Sequence, residues 1–191
     1  MYMVTKKSFV FKLSFWILIL VFGSSCQTQN PDYEKIALKI TNEAKTNLVQ
    51  KLSALIAEGG TKKAIPFCKI NALGITDQLG KKHRVELRRI TNKPRNLSNF
   101  LSEEEKRIFL EIEKLKTSDG VFPNQTFTSD DSVTVYIPIP VAGLCIQCHG
   151  EPNKDIKNET LVVLDKEYPS DKAKGYRVGD LRGLFSVKFP K

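Results

Sequence analysis

The sequence predicts an α+β fold, with long helices leading and strands gathered toward the carboxyl end. Two patterns carry this. Residues 32–58 and 61–79 repeat apolar side chains at three- and four-residue spacing, as helices do. Ser132 to Pro138 alternates apolar and polar side chains with a period of two, and a last strand is expected from Leu184 to Phe189. A third observation, at residues 1–25, sets a cleaved signal segment before this domain.

That leader has a basic start (Lys6, Lys7, Lys12) followed by the apolar run from Leu13 to Phe22, too short for a comfortable membrane span. Gly23-Ser24-Ser25-Cys26 resembles a bacterial lipobox, so Cys26 is expected to be acylated as the mature N-terminus. Simple secretion and an uncleaved anchor are the alternatives, and each also carries the domain across a membrane. The expected localisation is the periplasmic side of a bacterial membrane, with the lipid as anchor. Residues 26–31 form a short tether, and residues 32–191 suit a single domain. The 191-residue chain carries a formal net charge of +9; without residues 1–25, 27 basic residues face 21 acidic ones, leaving +6. That charge suits an acidic partner or anionic surface. Export argues against nucleic acid.

Asp32 favours a helix start, and Ile36, Ala37, Ile40, Ala44, Leu48, Leu52, Leu55 and Ile56 form one stripe before Gly59-Gly60 ends it. The stripe is a packing face, or a surface for pairing with the same helix of a second copy. Thr61 caps a second helix running toward Leu79, with Pro66 close enough to the first turn to be tolerated. Ala64, Cys68, Ala72, Ile75 and Leu79 share a face, so Cys68 points inward. His83 follows in the polar stretch Gly80-Lys81-Lys82-His83-Arg84 and is expected to be a solvated loop histidine. Val85 to Ile90 alternates like a half-buried strand.

The turn-rich segment 91–99 holds Lys93 and Arg95 just after Arg89. These three cations suit carboxylates, or form an ordinary solvated face. Ser102-Glu103-Glu104-Glu105 is a capping box, and its helix presents Ile108, Phe109, Ile112 and Leu115 as a core face. In the strand from Ser132, Pro138 and Pro140 mark an edge or exit. Leu161-Val162-Val163-Leu164 is too short to assign by periodicity. The glycines and charges of residues 168–183 suggest an ordered loop folded over something.

The strand leads to Cys145-Ile146-Gln147-Cys148-His149-Gly150, which reads as a c-type haem attachment site. The chemistry needs this order: each sulfur adds to one haem vinyl group, and the next residue offers an imidazole to the iron. Gly150 leaves room for the backbone beside the macrocycle. A thioredoxin-type pair would be expected near a βαβ pattern, and none precedes this one. One covalent haem is expected, with Cys145 and Cys148 as attachment sites and His149 as proximal ligand. Met1 and Met3 are the only methionines, so the mature chain offers no Met ligand. Cys68 is either a buried inert thiol or an axial thiolate opposite His149.

The chain resembles a family of bacterial haem c proteins with a PAS-like fold, whose domain occurs alone or as the sensing module of signalling proteins. The resemblance rests on residues 64–68, on Arg89 through Lys93-Pro94-Arg95-Asn96 to Asn99, on residues 136–139, on the cysteine motif and on the loop from Tyr168 to Gly183. It implies a PAS-like antiparallel sheet behind long N-terminal helices. It also implies His/Cys-ligated iron, here His149 and Cys68, while Arg89 and Arg95 are candidates for the haem propionates. The lipobox-like leader departs from a membrane-spanning sensor, and with no transmitter pattern after the domain a signalling output is expected to need a separate partner.

Redox or gas sensing and single-haem electron transfer are the competing roles. The alternative from another class is a zinc module of Cys68, Cys145, Cys148 and His149, although adjacent Cys148 and His149 side chains rarely converge on one ion. No nucleophile–base constellation or phosphate-binding loop is present, so no enzymatic activity is expected.

Overall fold

Asp32 starts the first helix as expected: its side chain accepts from the Lys35 amide at 3.0 Å. The computed structural model describes residues 31–191. The signal segment, Cys26 and most of the tether lie outside the described residues. Helix α1 (Tyr33–His83) is broken at Gly59 and Gly60, the latter at φ +70°, where a side chain would be strained. Glu43 on the first arm accepts from Lys82 on the second at 2.6 Å and meets His83 at 3.2 Å. A straight helix would separate positions 43 and 82 by about 58 Å at 1.5 Å per residue. The chain therefore doubles back at the glycines, making a helical hairpin from the two helices the sequence predicts.

The second arm runs four residues beyond Leu79, to His83. His83 is thus not a solvated loop residue: it sits in the last turn, partly buried against Glu43. The loop expectation failed because three consecutive basic residues at a helix C-terminus favour the helix, being drawn to its carbonyl end. Arg84 closes the helix in the left-handed conformation (φ 55°). Thr61, expected as a cap, holds its hydroxyl 2.6 Å from that of Thr160, and the positive φ at Gly60 makes the turn.

The remaining elements are β1 (Glu86–Ile90), a 3-10 turn (Leu97–Asn99), α2 (Glu103–Lys114), β2 (Gln125–Thr128), β3 (Ser132–Pro140), α3 (Ile146–His149), α4 (Asn158–Glu167) and β4 (Leu181–Pro190). The class is α+β, and the four strands form an antiparallel sheet in the order β1-β4-β3-β2. β2 lacks the apolar alternation that marks a strand and escaped the sequence analysis. It covers β3 only from Val133 to Tyr136, so Pro138 and Pro140 fall where β3 has β4 alone as neighbour. A missing N–H costs nothing on that open side.

Alternation sorts the sheet into two faces. Leu87, Val133, Val135, Ile137, Phe185, Val187 and Phe189 pack against Ala37, Ile40, Ala44 and Leu79 of α1. On the other face Ile90, Tyr136 and Leu184 meet Ile108, Phe109 and Ile112 of α2. The capping box of α2 is complete, with reciprocal bonds between Ser102 and Glu105. Leu115, expected on that core face, is 46% exposed because the helix ends at Lys114 before its face can be covered. Leu161 to Leu164 is helical within α4, where Leu164 is buried against Ile65, Ile156 and Tyr168. α4 lies along the second arm of α1, joined by Thr61–Thr160 and by ion pairs Lys62–Glu159 and Lys69–Glu167. Among the described residues no helix is long and apolar enough to cross a membrane.

Candidate haem site

The cysteine motif folds into a single helical turn. Cys145 caps α3, its carbonyl accepting from the amides of Cys148 and His149 at 3.2 and 2.9 Å. One turn places the side chains of residues 145 and 148 on neighbouring parts of one face. The two cysteines are unbridged and partly buried, and they reach different surroundings. Cys145 borders Val141, Ala173 and Tyr176, whereas Cys148 borders Ile65, Ile156, Leu164 and Tyr168.

The chain's own packing leaves no room for a side chain at Gly150. A Cβ there would lie 2.5 Å from Cβ of Asp155 and 2.7 Å from the Ile146 carbonyl oxygen. The close neighbours are the chain's own turn after the motif, where Asp155 accepts from the Glu151 amide at 2.9 Å.

The loop between α4 and β4 is the something-covering loop that its composition implied: it folds over the motif. Gly175 donates its amide to the Gly150 carbonyl at 2.8 Å and Tyr176 to the His149 carbonyl at 2.9 Å. The His149 Nδ1 lies 2.8 Å from the Ala173 carbonyl oxygen. A carbonyl only accepts, so Nδ1 carries the proton and Nε2 keeps its lone pair for another partner. Burial first, then the charges of Arg95 and Arg182, hold the His149 pKa well below its ordinary value, so the ring is neutral.

Arg95 is the strut of this arrangement. Its guanidinium donates to the Cys148 carbonyl, to the Ala173 carbonyl at 3.3 Å and, through Nε, to Asp171 at 3.1 Å. Asp171 also accepts from the Ala173 amide at 2.8 Å. Arg182 donates to the Thr91 hydroxyl at 3.0 Å and to the Lys93 carbonyl at 3.3 Å, and it lies 5.3 Å from the Tyr176 ring centre. Asp171, Tyr176 and Arg182 escaped the sequence analysis as individual residues; only the glycine-rich character of their loop gave a signal.

Cys68 is brought to the same place from α1. Burial raises its pKa, while Arg89 and then Arg95 oppose that rise. Burial pushes Cys148 up to about 11, and the Cys68 charge adds to the effect while Arg95 counters it. Cys68, Cys148, His149, Arg89 and Arg95 therefore share one electrostatic neighbourhood. His83 does not: it is fifteen residues along the second arm from Cys68, about 22 Å at helical rise.

The donor set fits a c-type haem. Two unbridged thiols lie a helical turn apart, the adjacent imidazole has Nε2 available, a further thiol lies nearby, and arginines supply charge suited to carboxylates. When bound, haem would supply one-electron chemistry at its iron. Among the described residues, no three His, Cys, Asp or Glu side chains converge in the manner a bare metal ion needs. A cavity of about 400 Å³ opens beside the motif, lined by Ile146, Glu151, Asp155, Tyr176 and Arg177. Its lining includes neither the thiols nor the imidazole, so it does not mark the cofactor pocket.

Comparison with known proteins agrees with this architecture. The crystal structure of the cyanobacterial haem protein Tll0287 superposes with a TM-score of 0.62 at 21% identity, over 85% of this chain and 98% of that one. At that identity the likeness establishes the fold. No curated protein matches. The model of the Tll0287-like family matches residues 25–190, nearly the whole chain, and the chain belongs to that family.

Proposed function

We propose that the protein is an exported, lipid-anchored c-type haem protein that senses redox state or a small gas, without enzymatic activity. Cys145 and Cys148 would hold one haem covalently, and His149 and Cys68 would offer the iron an imidazole and a thiolate. The observation that carries this reading is the imidazole of His149, pinned through Nδ1 to Ala173 inside a CxxCH turn. Family membership and the haem protein among its structural relatives support it. The assignment of the sheet as PAS-like belongs with it, supported by the antiparallel four-stranded sheet between helical layers.

The chain's own residues supply the rest of the mechanism. The 168–180 loop covers the motif and excludes water from the Nδ1 side of the imidazole. Burial raises the Cys68 pKa, and the positive charges of Arg89 and Arg95 beside the sulfur oppose that rise. Cys68 lies on the second arm of α1, so a change in what its sulfur holds would act on that arm, with the Gly59–Gly60 break as a hinge. Such a two-position element is what a switch requires. The first arm carries exposed Ile36 and Val49, which supports a homodimer or a signalling partner docked there.

Electron transfer is the second reading. It is favoured by the partial exposure of all five residues from Cys145 to His149, which would leave a haem edge within reach of a redox partner. The zinc module is disfavoured by the lack of a converging donor set.

The deciding experiment is expression in cells competent for cytochrome c maturation, followed by a pyridine haemochrome assay and spectra of both oxidation states. One covalent haem per chain is expected, with thiolate ligation in the ferric state that is lost on reduction. Identical ligation in both states would make the protein a carrier, and colourless mature protein would end the haem reading. Mass analysis of the mature N-terminus tests acylation at Cys26.

A further inference from the structure

The Ala173 backbone is held at both its amide and its carbonyl. Asp171 accepts from its amide at 2.8 Å, while its carbonyl accepts from His149 Nδ1 at 2.8 Å and from Arg95 at 3.3 Å. Arg95 and Asp171 are paired at 3.0 Å, with side chains only 11% and 2% exposed. We propose that the Arg95–Asp171 pair is a built-in control of the iron's reduction potential, acting on His149 through the carbonyl of Ala173.

The physical argument has two parts, and both rest on the haem reading above. A hydrogen bond from Nδ1 to a strong acceptor gives the imidazole more anionic character and makes Nε2 a better donor to the metal. Arg95 shares that acceptor, and its positive charge draws electron density from the carbonyl, which weakens the donation. The same charge also favours the reduced, less positive iron directly, since little water intervenes to screen it. Asp171 opposes both effects. Because Asp171 is almost wholly buried, its charge is not dispersed by solvent, and the balance depends on the two residues together.

Arg95 also reaches the backbone of the motif through the Cys148 carbonyl, so it touches the haem-bearing turn and the covering loop at once. It also shares the Ala173 carbonyl with His149 Nδ1. Arg95 and Asp171 are positioning residues: neither is assigned to the iron.

The test is potentiometric titration of the haem protein carrying Arg95→Gln, Asp171→Asn, both together, and Arg95→Lys. Arg95→Gln should lower the potential, because the carbonyl is released to His149 and Asp171 is left uncompensated. Asp171→Asn, nearly isosteric, should raise it. Each change is expected to be about tenfold in the reduction equilibrium constant, about 59 mV for one electron. The double variant should return near the wild-type value, and Arg95→Lys should restore most of the loss seen with Gln. Shifts of the same sign, or no shift in variants that retain haem, would overturn the proposal. Loss of haem from both single variants would make the pair structural and would equally overturn it. Absence of haem from the wild-type protein would instead refute the haem reading itself.

Discussion

His149 donates its Nδ1 proton to the carbonyl oxygen of Ala173, 24 positions later in the chain, at 2.8 Å. That bond selects the ring tautomer and aims Nε2 away from the covering loop. It gives the residue after the second motif cysteine a fixed orientation rather than that of a freely rotating side chain. The acceptor is a backbone atom of a buried alanine, so no side-chain pattern announces it.

Cys68 should be removable without losing the cofactor. Cys68→Ala is expected to retain covalent haem through Cys145 and Cys148 while changing the ferric low-spin spectrum, because a strong thiolate donor is gone. Absorption and EPR spectra of the ferric protein measure this. An unchanged spectrum would take Cys68 off the iron.

His83 should be silent in the same spectra. His83→Ala leaves the haem bands unaltered, because the ring meets Glu43, about four helical turns along the arm from Cys68, rather than the metal site. A large spectral change would reverse this assignment.

Glu43 links the arms of the α1 hairpin and should make their stability acid-sensitive. Its hydrogen bonds to Lys82, then His83, hold its pKa below the ordinary value of 4.5. The unfolded chain therefore takes up a proton at higher pH than the folded one. The stabilising contribution is present above the ordinary value and is lost as pH falls through the lowered folded value. Melting temperatures of wild type and Glu43→Gln should differ near neutrality and converge in acid. Parallel curves down to pH 3 would count against the bridge.

Gly150 should resist even the smallest side chain. Its φ of −73° is open to any residue, so the constraint is contact and not conformation. Gly150→Ala must displace Asp155 or the Ile146 carbonyl, at a cost of about 1–3 kcal/mol. For a chain of this size, thermal unfolding should shift down by roughly 2–4 °C per kcal/mol. Unchanged melting would show that the turn yields freely.

Short-range features were open to inspection in the sequence. The helix break at Gly59-Gly60, the Ser102–Glu105 capping box, β1, the β3 strand with its exit prolines and the CxxCH turn all depend on residues within a few positions of one another. Their physics is local: a backbone conformation, a cap or a side-chain period. The same reasoning failed where neighbours were ambiguous. His83 lay among cations that suit a loop or a helix end equally, and Leu161 to Leu164 was too brief to show a period.

What the sequence determined by itself is the cofactor chemistry on offer: two thiols, an adjacent imidazole and one further thiol in the second helix. The packed fold alone decided how that chemistry is held. Arg95 reaches Cys148 across 53 positions and Asp171 across 76. Those pairings arise from a loop laid across a helical turn and against a third segment. No spacing rule relates such residues, because their approach is set by which hydrophobic faces bury one another.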